Sequence, residues 1–453
     1  MKLYKLTSLI AVALLISGCT NKNQEPVDDK TKGQVTTNMK AYLNDTKKET
    51  GYDITFNYND DYFKQSAKTY NDDLKMLSFG AALAATTVEQ AASFYLNMGY
   101  DNAVASPDYA APDGESVEYY FAHKHIDDFE LVAVASVGFK YGAEWDNNLL
   151  LGSNGDHVGF DQASEKMYTA LKTYIQDNYA NKTVKVWAAG YSRAGGLANV
   201  LSYKILSKNE LGITQDTLYT YTFEAPRGLT EEHAIAYENV FNFVNKCDLV
   251  TKVAPEAWGL YRCGVDVEIY SASVDQLVYD FDNQIILPQF SCDESDPYQT
   301  FPEFVDWALG KLMEPAAEDS PELIPYEIDT RAHYVQNEQE TLRYVVPLFM
   351  SMSDEQLDAL ITHVKSLPML DLFALLGDGG GEKLYEILST FFNGQAITYD
   401  ATKLHDACIN LQAFVVKGHP ILVAFLTNDS AKRSLYMHMP EVAYALTKEA
   451  HIY

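Results

Sequence analysis

Ser192 lies in the run Val184-Lys-Val-Trp-Ala-Ala-Gly190-Tyr191-Ser192-Arg193-Ala194-Gly195-Gly196-Leu-Ala-Asn199, which reads as an apolar strand, a turn of small residues and a helix. A serine on such a cramped turn lifts its hydroxyl clear of the sheet at a helix N-terminus, where backbone N–H groups stabilise a developing oxyanion. The usual spacing is G-x-S-x-G; here alanine replaces the last glycine. Serine is a competent nucleophile only when a base takes its proton and a carboxylate orients that base. Asp248, a short step beyond the strand-like Val240-Phe-Asn-Phe-Val244, is the candidate carboxylate. The base belongs in a loop after the last strand. His438, just ahead of Pro440 and Glu441 at the start of the final helix, fits that place. His333 is the alternative base, nearer Asp248 in sequence but inside a helical stretch, and His363, His405 and His419 stand behind it. The N–H of Arg193 is one oxyanion donor. Its side chain suits either an anionic substrate group or Glu224, and the sequence leaves both open.

The elements that must position these groups alternate. Phe129 to Val137 is apolar enough for a strand buried on both faces, and Phe160 to Tyr179 carries the apolar stripe of an amphipathic helix. Strands at Leu218–Phe223 and Val240–Val244 follow the serine helix. Strands alternating with helices predict a mostly parallel sheet covered on both faces, with ligands at the C-terminal strand ends, where Ser192 lies. Asp45 to Tyr100 reads as mostly helical, and a strand at 117–123 follows. After Ile269 helical periodicity takes over, with Ser353-Asp-Glu-Gln356 a capping box. The division is 1–18 signal peptide, 19–40 flexible tether, 41–128 N-terminal helical segment and first strands, 129–270 core, 271–434 helical cap insertion, and 435–453 closing loop and helix.

Lys2 and Lys5 precede the apolar run Leu9–Ile16, too short to span a bilayer stably, and Ile16-Ser17-Gly18-Cys19 resembles a bacterial lipobox. The expectation is a lipid on Cys19, an extracytoplasmic location at a bacterial membrane, and a polar tether. The formal charge of −29 gives no electrostatic footprint for nucleic acid and repels anionic headgroups, so anchoring falls to the lipid. Cys247, Cys263, Cys292 and Cys408 form no C-x-x-C pair; one disulfide or four thiols both fit.

The segment 129–270 resembles the class 3 (fungal-type) lipase family and its bacterial lipoprotein branch. The family's elbow, T-F-G-A-P-R strand end and D-x-V-P loop match Gly190–Gly196, Thr222-Phe-Glu-Ala-Pro-Arg227 and Asp248-Leu-Val-Thr-Lys-Val-Ala-Pro255. His157-Val-Gly-Phe160 resembles its V-H-x-G-F helix start, Gly142-Ala-Glu-Trp-Asp-Asn-Asn148 a G-x-E-W-x-x-N stretch, Trp258-Gly-Leu-Tyr-Arg-Cys-Gly264 a W-G-x-x-R-x-G motif, and His438-Met-Pro-Glu441 a closing H-x-P-E-x-Y with Tyr444 one place late. The resemblance implies an α/β-hydrolase fold, a Ser192–His438–Asp248 triad cleaving carboxylic or lipid esters without metal or cofactor, and Phe139 N–H as the second oxyanion donor. In that turn only Gly138 matches. Two other classes remain: a surface-binding lipoprotein that has lost catalysis, suggested by Ala194 and the altered turn, and a serine peptidase or amidase on the same fold.

Other features read as structural. Gly377–Lys383 lacks the strand and Ser/Thr of a phosphate loop and is taken as an interhelical loop; Asn154-Gly-Asp156 is a helix-capping turn rather than a calcium site. His123 and His125 alternate along a strand with no visible third ligand.

Overall fold

The computed structural model describes residues 30–110, 117–138, 145–313, 331–337, 339–368, 375, 379–417 and 429–451. Its centre is a seven-stranded sheet in the order β11-β9-β7-β6-β5-β4-β3. The strands are β3 (Asp101–Ala105), β4 (Tyr119–Ile126), β5 (Phe129–Ser136), β6 (Val184–Tyr191), β7 (Leu218–Phe223), β9 (Val240–Asn245) and β11 (Val265–Ile269). From β5 to β11 all pairings are parallel; β3 and β4 add an antiparallel edge. The fold is thus α/β, of the hydrolase type expected, with a mostly parallel sheet and helices on both faces. A second, small antiparallel pair joins β8 (Leu229–Thr230) to β10 (Leu260–Tyr261).

Side chains of the central strands alternate between two cores, because successive residues of a strand point to opposite faces. Val184, Val186, Leu218 and Val240 meet helices α4 (Val158–Tyr179) and α5 (Arg193–Lys208) on one face. Trp187, Ala189, Tyr191, Tyr221 and Phe243 face α1 (Asp72–Ala84), α2 (Val88–Asn97) and the closing helix α14 (Pro440–Glu449) on the other. The buried Trp187 donates its indole N–H to Ser78 Oγ at 2.8 Å, avoiding the roughly 1–3 kcal/mol cost of an unpaired buried donor.

Two expectations about the N-terminal region are corrected. The tether drawn over 19–40 ends earlier, because β1 (Lys32–Met39) pairs antiparallel with β2 (Tyr52–Asn59). The stretch from Asp45 to Tyr100, read as mostly helical, holds helices at Asp72–Ala84 and Val88–Asn97 but also the strand β2. Ile54, Phe56 and Tyr58 are buried on one side of β2, and Val35, Thr37 and Met39 on one side of β1, a period-two pattern that a helical reading of this polar region misses. The signal peptide and Cys19 lie outside the described residues.

Described elements of the cap region are helical: α6 (Val274–Phe281), α7 (Phe301–Met313), α8 (Arg331–Asn337), α9 (Gln339–Met350), α10 (Asp354–Ser366), α11 (Gly380–Gly394), α12 (Ala401–Lys417) and α13 (Asp429–Tyr436). The capping box forms: Ser353 N donates to Gln356 Oε1 at 3.0 Å and Gln356 N to Ser353 Oγ at 3.2 Å. The interhelical-loop reading of Gly377–Lys383 is corrected: Gly379 is the N-cap and Gly380–Lys383 already belong to the first turn of α11. The four cysteines beyond Cys19 are free thiols, and His123 and His125 are engaged with Glu130.

Asp156 does not cap α4; it accepts from Thr230 N, and His157 is the N-cap. His157 Nδ1 accepts from Phe160 N at 3.3 Å, Nε2 lies 3.2 Å from Asn148 O, and the ring stacks on Phe160. Burial pushes its pKa down to about 4, helped by the positive charges of Arg331 and Arg193. Unfolding would return it to its ordinary value of 6.5, so between pH 6.5 and 4 the unfolded chain binds the extra proton and stability falls with pH. The expected loss across that window is about 3 kcal/mol. His157→Asn, which keeps a capping acceptor but does not titrate, should flatten this dependence; urea midpoints at pH 7 and pH 4.5 for both proteins check it, and parallel losses would refute it.

Candidate active site

Ser192 links β6 to α5 with φ 57° and ψ −129°, a conformation that costs a non-glycine residue about 1–3 kcal/mol and must be imposed by its surroundings. Ser192 N donates to Phe223 O at 2.8 Å, and Gly195 N and Gly196 N donate to Ser192 O at 2.9 and 3.2 Å. The small residues answer to contacts: a Cβ on Gly190 would lie 2.1 Å from Ala194 O, and one on Gly195 would lie 2.9 Å from Ala225 Cβ. Ala194 is fully buried, and its methyl is accommodated because Gly138 presents no side chain there; a Cβ on Gly138 would approach it to 3.2 Å.

Three distant segments meet at this turn. Ser192 Oγ lies 2.8 Å from His438 Nε2, and His438 Nδ1 lies 2.6 Å from Asp248 Oδ2. Ser192 and His438 are nearly buried and Asp248 wholly so. Asp248 Oδ1 accepts from Val250 N at 2.8 Å, which fixes the carboxylate plane. The His438 ring stacks on Tyr191, whose hydroxyl donates to His438 O, and Asn245 Nδ2 donates to Met437 O at 3.0 Å. His438 is thus held on both sides by the strands that carry Ser192 and Asp248. The alternative base His333 lies in α8, while both ring nitrogens of His438 are already engaged with Ser192 and Asp248.

Arg193 opens α5, in the first turn, where helix geometry leaves N–H groups directed outward. Phe139 lies outside the described residues. Its neighbour Gly138 is packed against the elbow, so that a Cβ there would be 1.9 Å from Tyr191 O.

Sequence reasoning passed over several groups that shape the site. Arg262, taken only as part of a motif, donates to Ala225 O at 3.0 Å and Thr251 O at 2.8 Å while its fork holds Asp266. It thereby ties the Asp248 loop to the strand end after β7. Asn245 and Tyr191 had no visible signal beyond lying next to the triad segments. The sequence offers Glu224 only as a partner for Arg193; its buried carboxyl lies against Asp248, and Oε2 accepts from Asn245 N at 3.2 Å. Among the described residues no group of His, Cys, Asp and Glu has metal-holding geometry.

A methyl at position 138 meets backbone rather than a flexible side chain. Gly138→Ala is therefore expected to lose about 1–3 kcal/mol of stability and at least about tenfold in turnover. Thermal unfolding and ester hydrolysis of the purified variant check this; wild-type values for both would show that the turn has room to relax.

Residues 119–258 match the family model described as Lipase (class 3), a span that includes Ser192 and Asp248 and stops short of His438. Similar solved structures include a triacylglycerol lipase whose catalytic centre is formed by a serine protease triad, at 16% identity over 45% of this chain and 83% of that chain, with a TM-score of 0.37. A Rhizomucor miehei triacylglyceride lipase follows at 16% identity over 45% and 83%, TM-score 0.35. A lipase from Rhizopus microsporus var. chinensis is 19% identical over 44% and 76%, TM-score 0.32. No curated protein matches the sequence. The family match over the elbow and the acid loop makes the chain a serine ester hydrolase of lipase type.

Proposed function

We propose that the protein is a membrane-tethered, extracytoplasmic lipase or esterase of the bacterial lipoprotein branch, working through an acyl-enzyme. The observation that carries the reading is the continuous hydrogen-bonded line from Ser192 Oγ through His438 to Asp248, closed between residues 246 and 190 positions apart. In this scheme His438 Nε2 takes the Ser192 proton as Oγ attacks the ester carbonyl. The N–H groups of Arg193 and Phe139 receive the oxyanion, and Asp248 holds the imidazole tautomer and faces the imidazolium that forms. The same imidazolium protonates the leaving alcohol. Water then repeats the sequence on the acyl-enzyme, with His438 again the base. No step calls for a metal or cofactor.

The tether reading rests on Ile16-Ser17-Gly18-Cys19 and on an acidic chain that anionic headgroups repel. Among the described residues no helix is long and apolar enough to cross a membrane.

A fluorophosphonate probe should label the mature protein and fail on Ser192→Ala, which should also lower kcat by about a million-fold. Asp248→Asn, which leaves the wrong imidazole tautomer, should cost about ten-thousand-fold. An ester panel graded by acyl chain length then fixes the substrate class. Absence of labelling in folded protein would overturn the scheme, and faster cleavage of peptide reporters would redirect it to amide chemistry. For the tether, Cys19→Ser in the full-length chain should move the protein from the detergent to the aqueous phase on partitioning; unchanged partitioning would refute lipidation.

A further inference from the structure

At the strand end where the class 3 pattern carries glycine, this chain carries Glu224. Its backbone sits at φ 51°, the left-handed region that suits glycine and strains other residues. Its side chain is wholly buried, so neither solvent exposure nor backbone preference explains it.

The hydrogen-bond inventory around it does. Oε2 accepts from Asn245 N, while among the described residues no donor reaches the buried Oε1. The carboxyl lies in hydrogen-bonding contact with Asp248, itself an acceptor from Val250 N and the partner of His438 Nδ1. Two carboxylates in contact and out of water cannot both be charged, and a single proton between them satisfies both. Asp248 already faces two nitrogen partners and Glu224 only one, so the proton belongs on Glu224.

We propose that Glu224 is a positioning residue, a neutral carboxylic acid whose O–H donates to Asp248 and holds that carboxylate toward His438. The proposal rests on the triad reading above and deepens it. The acid pair then carries one negative charge rather than two, and the imidazolium formed during acyl transfer faces a carboxylate whose remaining acceptor capacity is filled. The other ionisable groups facing the pair are His438, the buried Cys247 thiol and the Arg262 guanidinium. Burial and the Asp248 charge raise the Glu224 pKa well above the usual carboxylate value, and Arg262 only partly opposes them. The proton is thus held to higher pH than on an ordinary carboxyl and is lost as pH climbs through that raised value, giving a high-pH limb of its own.

Three measurements test this on the full mature chain. Infrared spectroscopy should show a buried protonated-carboxyl C=O band that is absent from Glu224→Gln. That variant, whose amide N–H still donates to Asp248, should keep kcat within about threefold and lose the high-pH limb. Glu224→Gly, which suits the backbone but removes the donor, should lower kcat about tenfold with KM unchanged. Stability gives a fourth reading. A folded-state pKa above the unfolded value makes stability fall as pH rises from about 4.5, so Glu224→Gln should gain melting temperature relative to wild type at pH 8 but not at pH 4. The idea is overturned if no such band exists, if Glu224→Gln loses as much activity as Asp248→Asn, or if Glu224→Gly matches wild type in kcat and pH profile. The infrared and melting readouts need no turnover. A band present in a protein inactive on every ester and probe would therefore support the shared proton while refuting the triad assignment.

Discussion

The buried contact between His438 Nδ1 and Asp248 Oδ2 joins parts of the chain 190 residues apart, and elements outside the sheet converge on holding its histidine end. His438 sits in the short loop between α13 and α14, with Pro440 opening α14. Glu441, fully buried, accepts from Tyr42 N and Leu43 N, so the chain leaving β1 clamps the first turn of the closing helix. Tyr444 packs its ring against Phe56 of β2, Phe79 of α1 and Phe281 of α6. The N-terminal hairpin, which looks like an appendage in sequence, is thus part of the apparatus that sets the position of the imidazole. A misplacement of about 1 Å at a reacting group can cost about a hundredfold in rate, the scale that justifies so many contacts.

The acid end is held differently, by polar groups rather than apolar packing. Thr251 Oγ1 donates to Asp248 O at 2.9 Å and to Asn245 O at 3.3 Å, folding the loop back on β9. Behind the elbow, Asn199 and Asn242 bond to one another and both donate to Cys263 O, while Thr222 donates to Asn242. Buried networks of this kind are favourable only when their members are paired, and here they lock α5 to β7 and β9 behind the nucleophile. The same dryness acts on two buried thiols. Burial pushes the Cys247 thiol, next to Asp248, up to about 12, and Cys263 is raised for the same reason, so both remain protonated thiols. A thiol held in that form is a weak nucleophile, in keeping with the role proposed for Ser192.

What was legible in the sequence follows from how local each signal is. The elbow, β5, β7, β9 and α4 could be read because their residues state the structure themselves, through continuous apolar runs or a 3.6-residue stripe. Edge elements could not. β11 is largely exposed, and β1 and β2 alternate apolar with polar residues in a segment whose composition resembles a linker. Pro440 and Glu441 favour His438 over His333 locally, but only the long-range meeting with Ser192 and Asp248 brings its ring to the site. Glu224 illustrates the remaining limit. Its type and its departure from glycine are visible in the sequence, but its meaning depends on a neighbour 24 positions away that only the fold supplies.

Helices α8 and α9 of the cap are fastened to the core on the approach to α4. The Arg331 guanidinium donates to the carbonyl oxygens of Leu151, Gly152, Asn154, Gly155 and Asp156. Gln339 Oε1 accepts from Leu151 N and Gly152 N, and Arg343 grips Asp146 of the short helix 145–149 through two nitrogens. A charged donor bonded to carbonyls is worth about 1.5–3 kcal/mol per bond, less than additively, so parting α8 from this loop costs several kcal/mol. Helices α8 and α9 are therefore bound to residues 146–156 by several charged and neutral hydrogen bonds. That segment leads into α4, whose N-cap is His157 and whose Phe160 packs within reach of Gly196 in the elbow helix, since a Cβ there would lie 3.0 Å from the ring. Helices α8 and α9 are thereby joined, through residues 146–156 and α4, to the helix that opens at Ser192.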